Sequence, residues 1–293
     1  MNIEKVVSVF TSCGFKINKI GGYYFLDRGW INYSFPQLIN MPINSNLINS
    51  LKWRYLLTII KTESRIKNTY EFVLETNDYG IDKFAPKKRN DIRKSLKDCV
   101  VKRPSLEDLF HFGLSMNRQT LARQGRNDKY LTDDRYWRKY ITSFYSQENI
   151  FILGAYIAER MVGYITVCKI DGNYYIIDPF YDKQSSASSP IHGIIFTLAN
   201  QLIEKNGKIK LYYGLDSFNP LPSLNKYKQS MLFKRVPATR VLVINPILLP
   251  FLKLILFFYI RILRQKSIKN HLVQKIVKLI QGNRIIYKTN LKI

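Results

Sequence analysis

The chain has 293 residues, enough for one large domain or two modest ones with cores of their own. Its 46% hydrophobic content excludes a disordered chain, and the three widely spaced cysteines, Cys13, Cys99 and Cys168, make neither a disulfide framework nor a metal-ligand set. The net charge is +25 and uneven: the 77 residues after Asp216 hold 15 Lys or Arg and no Asp or Glu. That asymmetry points to an anionic partner, either nucleic acid or a membrane surface. The opening MNIEKVVSVFTSCGF has no basic start leading into a sustained apolar run, so no signal peptide is expected and the chain should sit in the cytoplasm.

In chain order, GGYYFLDRGWINYSF reads as two short strands about Asp27-Arg28-Gly29, with further strands at Trp53–Ile60 and Tyr70–Glu75. From Lys83 to Asp98 a basic helix is expected with Phe84, Ile92 and Leu96 on one face. Two more helices follow: Ser105–Arg123, where Ser105 and Asp108 have capping-box spacing, and Asp133–Tyr145. Ile150–Ala158, Met161–Ile170 and Asn173–Tyr181 are β-prone, separated by Glu159-Arg160 and by the hairpin dipeptide Asp171-Gly172. A polar loop, DKQSSASSP, ends in Ser189-Pro190, which reads as an N-cap followed by a proline at the first helical position. The helix it opens runs from Ile191 to Lys205 and stops at Asn206-Gly207. A strand at Ile209–Leu215, a short helix near Leu224–Leu232 and a strand at Ala238–Ile244 close the unit. Three meander strands, then a helix crossing to a parallel strand, make an α/β (α+β) fold with a mixed, mostly antiparallel sheet flanked by helices.

This order and these residues resemble the GNAT superfamily of acyltransferases, and within it the FemAB-like and BioF2-like branch. The resemblance covers roughly residues 70–246. It rests on KKRNDIRKSLKDCVVKR, on the hairpins FILGAYIAERMVGYITVCKIDGNYYIIDPFYDK, on SSPIHGIIFTLANQLIEKNGKIKLYYGLDS with Ser189-Pro190 and Tyr213-Gly214, and on LNKYKQSMLF with Tyr227-Lys228. The superfamily's Gly-rich basic loop is replaced by DKQSSASSP. The resemblance implies residues 1–80 as a reduced N-terminal GNAT-like half, 81–246 as the acyltransferase domain and 247–293 as a basic helical tail. It implies direct transfer of an acyl group, without a covalent intermediate or a metal, from acyl-CoA (acetyl-CoA first) to an amine of a sugar or cell-envelope precursor. Two alternatives stay open: an aminoacyl-tRNA-dependent peptidyltransferase, with tRNA as partner, and a non-catalytic GNAT-like membrane-binding module.

Candidate site residues follow. Backbone N–H groups at a helix start suit a phosphate, so Ser185, Ser186, Ser188 and Ser189, with Lys183, are the candidate donor-binding set. A solvated loop with an N-cap is the plainer alternative. His192 is one turn into that helix and is a candidate for proton transfer. Asp178 and Asp216, at strand ends, could orient or deprotonate an attacking amine; Tyr213 joins this catalytic set by position and resemblance. Arg89, Arg93 and Lys94 form a basic face for an anionic substrate, to which the resemblance adds Tyr181, Tyr227 and Lys228.

The tail holds VLVINPILLPFLKLILFFYI from Val241 to Ile260, the nominal length of a membrane span. Asn245, Pro246, Pro250 and Lys253 interrupt it, and its first residues are needed as strand. From Ser267 to Ile280, Ile268, Leu272, Val273, Ile276, Leu279 and Ile280 share one helical face, away from Lys269, Lys275 and Lys278. A basic amphipathic helix beside an apolar segment is expected to hold the protein peripherally on the inner, anionic face of the membrane.

Overall fold

In the computed structural model the described residues are 2–216, 222–248, 250, 251 and 254. The elements begin with α1 (Ile3–Ser12), whose first turn is capped by the Asn2 side chain. Three strands follow, β1 (Ile17–Ile20), β2 (Tyr23–Asp27) and β3 (Ile31–Phe35), and then α2 (Ser45–Arg54), capped by Asn44. Next come β4 (Leu57–Thr62), β5 (Thr69–Thr76), the basic helix α3 (Pro86–Asp98) and β6 (Val100–Lys102). The helical stretch after Ser105 is α4 (Leu106–Asp108), a π-turn over Leu109–Gly113 and α5 (Leu114–Arg123). Its capping box forms in both directions between Ser105 and Asp108. α6 (Lys129–Thr132) and α7 (Asp134–Tyr145) start on the side chains of Asp128 and Asp133. The meander is β7 (Ile150–Ile157), β8 (Arg160–Ile170) and β9 (Asn173–Tyr181), with α8 (Pro190–Asn206), β10 (Ile209–Leu215), α9 (Pro222–Ser230) and β11 (Lys234–Ile244) after it.

The mixed, mostly antiparallel architecture expected from the sequence is present, in two compact units. The first holds residues 1–14, 72–214 and 226–235; the second holds the described residues of 15–71, 215–225 and 236–293. Strand order in the first is β5-β10-β9-β8-β7-β6, with β10 parallel to β9 and the meander antiparallel. Its core gathers Phe72, Phe84, Ile92, Ile165, Val167 and Ile194 under α3 and α8. These two helices touch closely. Gly193 N–H donates to the buried Ser95 hydroxyl at 3.1 Å, and a Cβ at Gly193 would lie 2.5 Å from that oxygen. In the second unit the order is β1-β2-β3-β4-β11, with β3 and β4 parallel and the other pairs antiparallel. Its core of Phe25, Leu47, Leu51, Ile60 and Val243 lies beneath α2.

Several expectations are corrected. Trp53 belongs to α2, and the strand after it starts only at Leu57. Leu96 is exposed; Ser95 takes the buried position because α3 and α8 approach too closely there for a larger side chain. The last strand, β11, starts at Lys234, earlier than the sequence indicated, and pairs antiparallel with β4, Thr239 opposite Thr62 and Ile244 opposite Leu57. The helices α1 and α2 and the strand β1 had no expectation; each is ten residues or fewer, too short for a clear apolar period. The three cysteines are buried, and burial pushes the thiols of Cys13 and Cys168 up to about 11 and about 12. The amphipathic stretch 267–280 lies outside the described residues. Among the described residues no helix is long and apolar enough to cross a membrane.

Candidate active site

Strands β8 and β9 change register in the middle. Val167 faces Ile176 while Thr166 faces Asp178, so Ile177 is an extra residue, a β-bulge. The parallel ladder between β9 and β10 couples Tyr174 with Leu211 and Tyr175 with Tyr212, and it ends there, although β9 runs on to Tyr181 and β10 to Leu215. A bulge bends its strand and increases its twist. The bend at Ile177 therefore parts β9 from β10 directly after their last paired row. Pro179, which cannot donate to a ladder, lies in the parted stretch.

The chain leaves β9 through Asp182, which is buried and holds the connection together. Its carboxylate accepts from Arg160 at 3.1 Å and from the Gln184 N–H at 3.3 Å. Lys183–Ser188 form a 3₁₀ turn, and Ser189 takes φ 50°, ψ 49° before Pro190 opens α8. Ser189 therefore does not cap the helix through its side chain, as the sequence suggested: an N-cap needs extended backbone to aim its oxygen at the second or third N–H. Ser185 hydrogen-bonds Asp182 at 3.4 Å, and the Lys183 N–H donates to Gln119 at 3.2 Å. Lys183 and Ser186 are exposed, while Ser185, Ser188 and Ser189 are half-buried around the start of α8.

His192, in the first turn of α8, carries the densest chemistry. Its Nδ1 lies 3.2 Å from the Ser189 carbonyl, which can only accept, so Nδ1 carries the proton. Nε2 then accepts from the Lys88 ammonium at 2.5 Å. Burial and then the charge of Lys88 lower the imidazole to about 4, so His192 is neutral at physiological pH. Lys88, from the first turn of α3, also reaches Asp91 at 3.1 Å and lies 5.5 Å over the ring of Tyr227. Tyr227 meets His192 edge-on at 5.1 Å and Tyr213 at 6.3 Å. Burial, with Tyr213, Tyr79 and Tyr181 nearby, raises the Tyr227 phenol well above its ordinary range, so it stays protonated. Its buried hydroxyl has no hydrogen-bond partner among the described residues. Lys228 is buried with Nζ 4.6 Å over Phe72 and 4.8 Å over Tyr213, and Tyr181 stacks on Arg123 at 4.7 Å.

The structure thus brings His192, Tyr213, Tyr227 and Lys228 together and adds Lys88, which the sequence reading passed over for its neighbours. Arg89 instead braces the turn before its own helix, donating to the Asp82 and Phe84 carbonyls at 3.0 and 3.1 Å. Arg93 and Lys94 are exposed. Asp178 lies elsewhere. It shares a face of β8–β9 with Thr166, accepts from the buried Tyr140 hydroxyl at 2.7 Å, and points away from Ile165 and Val167, which line the core under α8. Asp216 belongs to the second unit, where it is buried, accepts from Asn225 at 3.0 Å and bonds Tyr70 and Arg240 through its backbone. Lys88 had one signal in the sequence: Asp91, three residues on, is the only acid from Lys87 to Lys97.

No family model and no curated protein matches the sequence. Solved structures do match in fold. FemX superposes with a TM-score of 0.55 at 10% identity, covering 84% of this chain and 93% of its own. The C-terminal domain of a putative lysylphosphatidylglycerol synthetase from Agrobacterium fabrum gives 0.54 at 9% identity, covering 86% and 90%. L-PGS from Bacillus licheniformis gives 0.52 at 12% identity, covering 90% and 93%. The chain therefore shares its fold with FemX and these two structures over most of its length.

Proposed function

We propose that the protein is a transferase that moves an acyl or aminoacyl group from a thioester or ester donor directly to a nucleophile. The observation that carries this is the parting of β9 from β10 at the Ile177 bulge, with Tyr213, Tyr227 and the start of α8 beside it. A parted strand edge can take an extended donor chain by backbone hydrogen bonding. The positive end of the α8 dipole favours a phosphate, and Lys88 supplies a cation beside it. Tyr227 is protonated and its hydroxyl has no hydrogen-bond partner among the described residues, which suits it to the developing oxyanion or the leaving group. In the transfer the nucleophile bonds to the carbonyl carbon, the bond to sulfur or oxygen breaks, and the leaving group takes the proton that the nucleophile loses. His192, neutral and engaged on both nitrogens, holds Lys88 and is not the base.

The finer reading takes acetyl-CoA as donor and an amine of a polysaccharide or cell-envelope precursor as acceptor, with the basic tail at an anionic membrane. A second reading takes an aminoacyl-tRNA as donor; it draws on the shared fold with a putative lysylphosphatidylglycerol synthetase domain. Purified full-length protein, offered labelled acetyl-CoA or labelled aminoacyl-tRNA with a bacterial envelope extract, decides between them. Label moving from acetyl-CoA into the extract supports the first and label from tRNA the second. Neither donor binding nor transferring would leave a non-catalytic module and end the transferase reading.

A further inference from the structure

One end of the second unit collects exposed apolar side chains. Parallel pairing sets Ile31 of β3 beside Leu57 of β4, and antiparallel pairing sets Ile244 of β11 beside the same Leu57. The residues one step outward are Trp30, Leu56 and Asn245, and Asn245 N–H still donates to the Leu56 carbonyl at 3.0 Å. Trp53, in the last turn of α2, precedes that row, and Ile247, Phe251 and Leu254 follow it. Trp30 is 76% exposed and Trp53 63%. Six of the eleven large hydrophobic side chains exposed among the described residues are Trp30 and Leu56 in this row, Trp53 before it and Ile247, Phe251 and Leu254 after it along the chain. Scattered single exposures are ordinary; a concentration is not.

We propose that this end of the unit is a membrane-contact face that seats on an anionic lipid surface, the two indoles entering the headgroup region. Indole rings are apolar bodies with one polar N–H and settle at that depth. The charges around the patch select the same partner. Arg28 and Arg54 are exposed beside the tryptophans, with Lys52 and Lys16 near them. The carboxylate at this end, Asp27, is paired with Lys16 at 2.9 Å. The chain from Pro246 on, which includes Ile247, Phe251 and Leu254, carries basic residues and no acid. Two copies of so basic a face repel one another, whereas anionic headgroups neutralise it. This contact is made by the folded unit, in addition to the basic tail, and does not depend on the acyl-transfer reading.

The chain has three tryptophans, Trp30, Trp53 and the fully buried Trp137, so the fluorescence of two of them reports on the face. The test mixes full-length protein with phosphatidylglycerol-containing vesicles or with pure phosphatidylcholine vesicles, and compares the wild type with Trp30→Ser/Trp53→Ser. The expected result is a blue shift and quenching by brominated phosphatidylglycerol for the wild type, weak binding to phosphatidylcholine, and vesicle affinity lower by on the order of tenfold per indole removed. Both residues are exposed, so the double variant keeps its circular dichroism and melting temperature. Unchanged vesicle affinity in the double variant, or no quenching of the wild type, overturns the proposal. So does a wild-type dimer, seen by analytical ultracentrifugation, that the double substitution dissociates, since the face would then join copies of the chain.

Discussion

His192 gives a sharp test of how the centre of the first unit is built. Its imidazole is held at about 4 against an ordinary 6.5, by burial first and by the Lys88 charge second. In the unfolded chain it titrates near its ordinary value, so between about pH 6.5 and about pH 4 the unfolded state binds a proton that the native state refuses. Stability therefore falls as the pH drops through that window, and below it both states are protonated and nothing more is lost. The gap sets the loss at about 3 kcal/mol at most, from 1.36 kcal/mol per pH unit; because His192 is only partly buried, some of this is screened. His192→Gln keeps an acceptor for Lys88 and does not titrate. Urea unfolding of both proteins at pH 7, 6, 5 and 4, taken as a difference, cancels the carboxylates they share. The wild type should lose 2–3 kcal/mol more than the variant on going from pH 7 to pH 4, by order of magnitude. In NMR with labelled histidine, the resonance missing from His192→Gln should titrate near pH 4, and Lys88→Met should move it up without restoring 6.5, because burial remains. Parallel pH profiles for the two proteins, or a His192 resonance titrating at 6.5, would refute the geometry.

Three further outcomes follow from named contacts. Tyr227→Phe removes a hydroxyl that has no partner among the described residues, so chemical denaturation should show stability unchanged or raised by up to about 1 kcal/mol; transfer activity should drop about 10²-fold or more if the hydroxyl stabilises the oxyanion. Gly193→Ala sets a Cβ 2.5 Å from the Ser95 hydroxyl and should cost about 1–3 kcal/mol in urea unfolding; Ser95→Gly in the same chain should return part of the loss, and a strictly additive pair would show that the helices do not meet there. In the second unit Lys61 is buried with Nζ 2.6 Å from Glu71 and 2.7 Å from the Leu38 carbonyl. Lys61→Met strands the Glu71 carboxylate and should cost about 3–5 kcal/mol by calorimetry, while Lys61→Met/Glu71→Leu should recover most of it.

Much of the backbone was legible in the sequence because the signals are local. Asp171-Gly172 fixes a hairpin, with Gly172 at φ 80°; Gly207 at φ 72° ends α8; Ser105 and Asp108 close a capping box. Apolar, β-prone runs between turn signals place β7, β8 and β9 within a residue or two of their ends, and the parallel return of β10 follows from a helix joining two strands. The bulge left one trace, Pro179 inside an otherwise regular strand. The site was legible only in part, since Tyr213, His192, Tyr227 and Lys228 were named one by one with nothing to say that they meet.

What the sequence determined by itself is the order of most elements from β5 onward, the turns and the acid-free basic end. Each depends on residues a few positions apart, where backbone sterics and side-chain capping decide the outcome. Only the tertiary structure decided the rest. Lys88 and His192 are 104 residues apart, and nothing in either segment announces the other. The pairing of β11 with β4 was not legible, because an apolar strand records its period but not its partner. Asp178 and Asp216 were grouped with Tyr213 as strand-end groups; a one-residue shift at Ile177 turns Asp178 to the opposite face, and the chain after Leu215 carries Asp216 into the second unit. Trp30 and Trp53 read as ordinary strand residues; strand register sets Trp30 beside Leu56, and Trp53 stands in the last turn of α2 three residues before Leu56. Pairing, register and side-chain convergence are set by non-local packing, which a one-dimensional pattern does not encode.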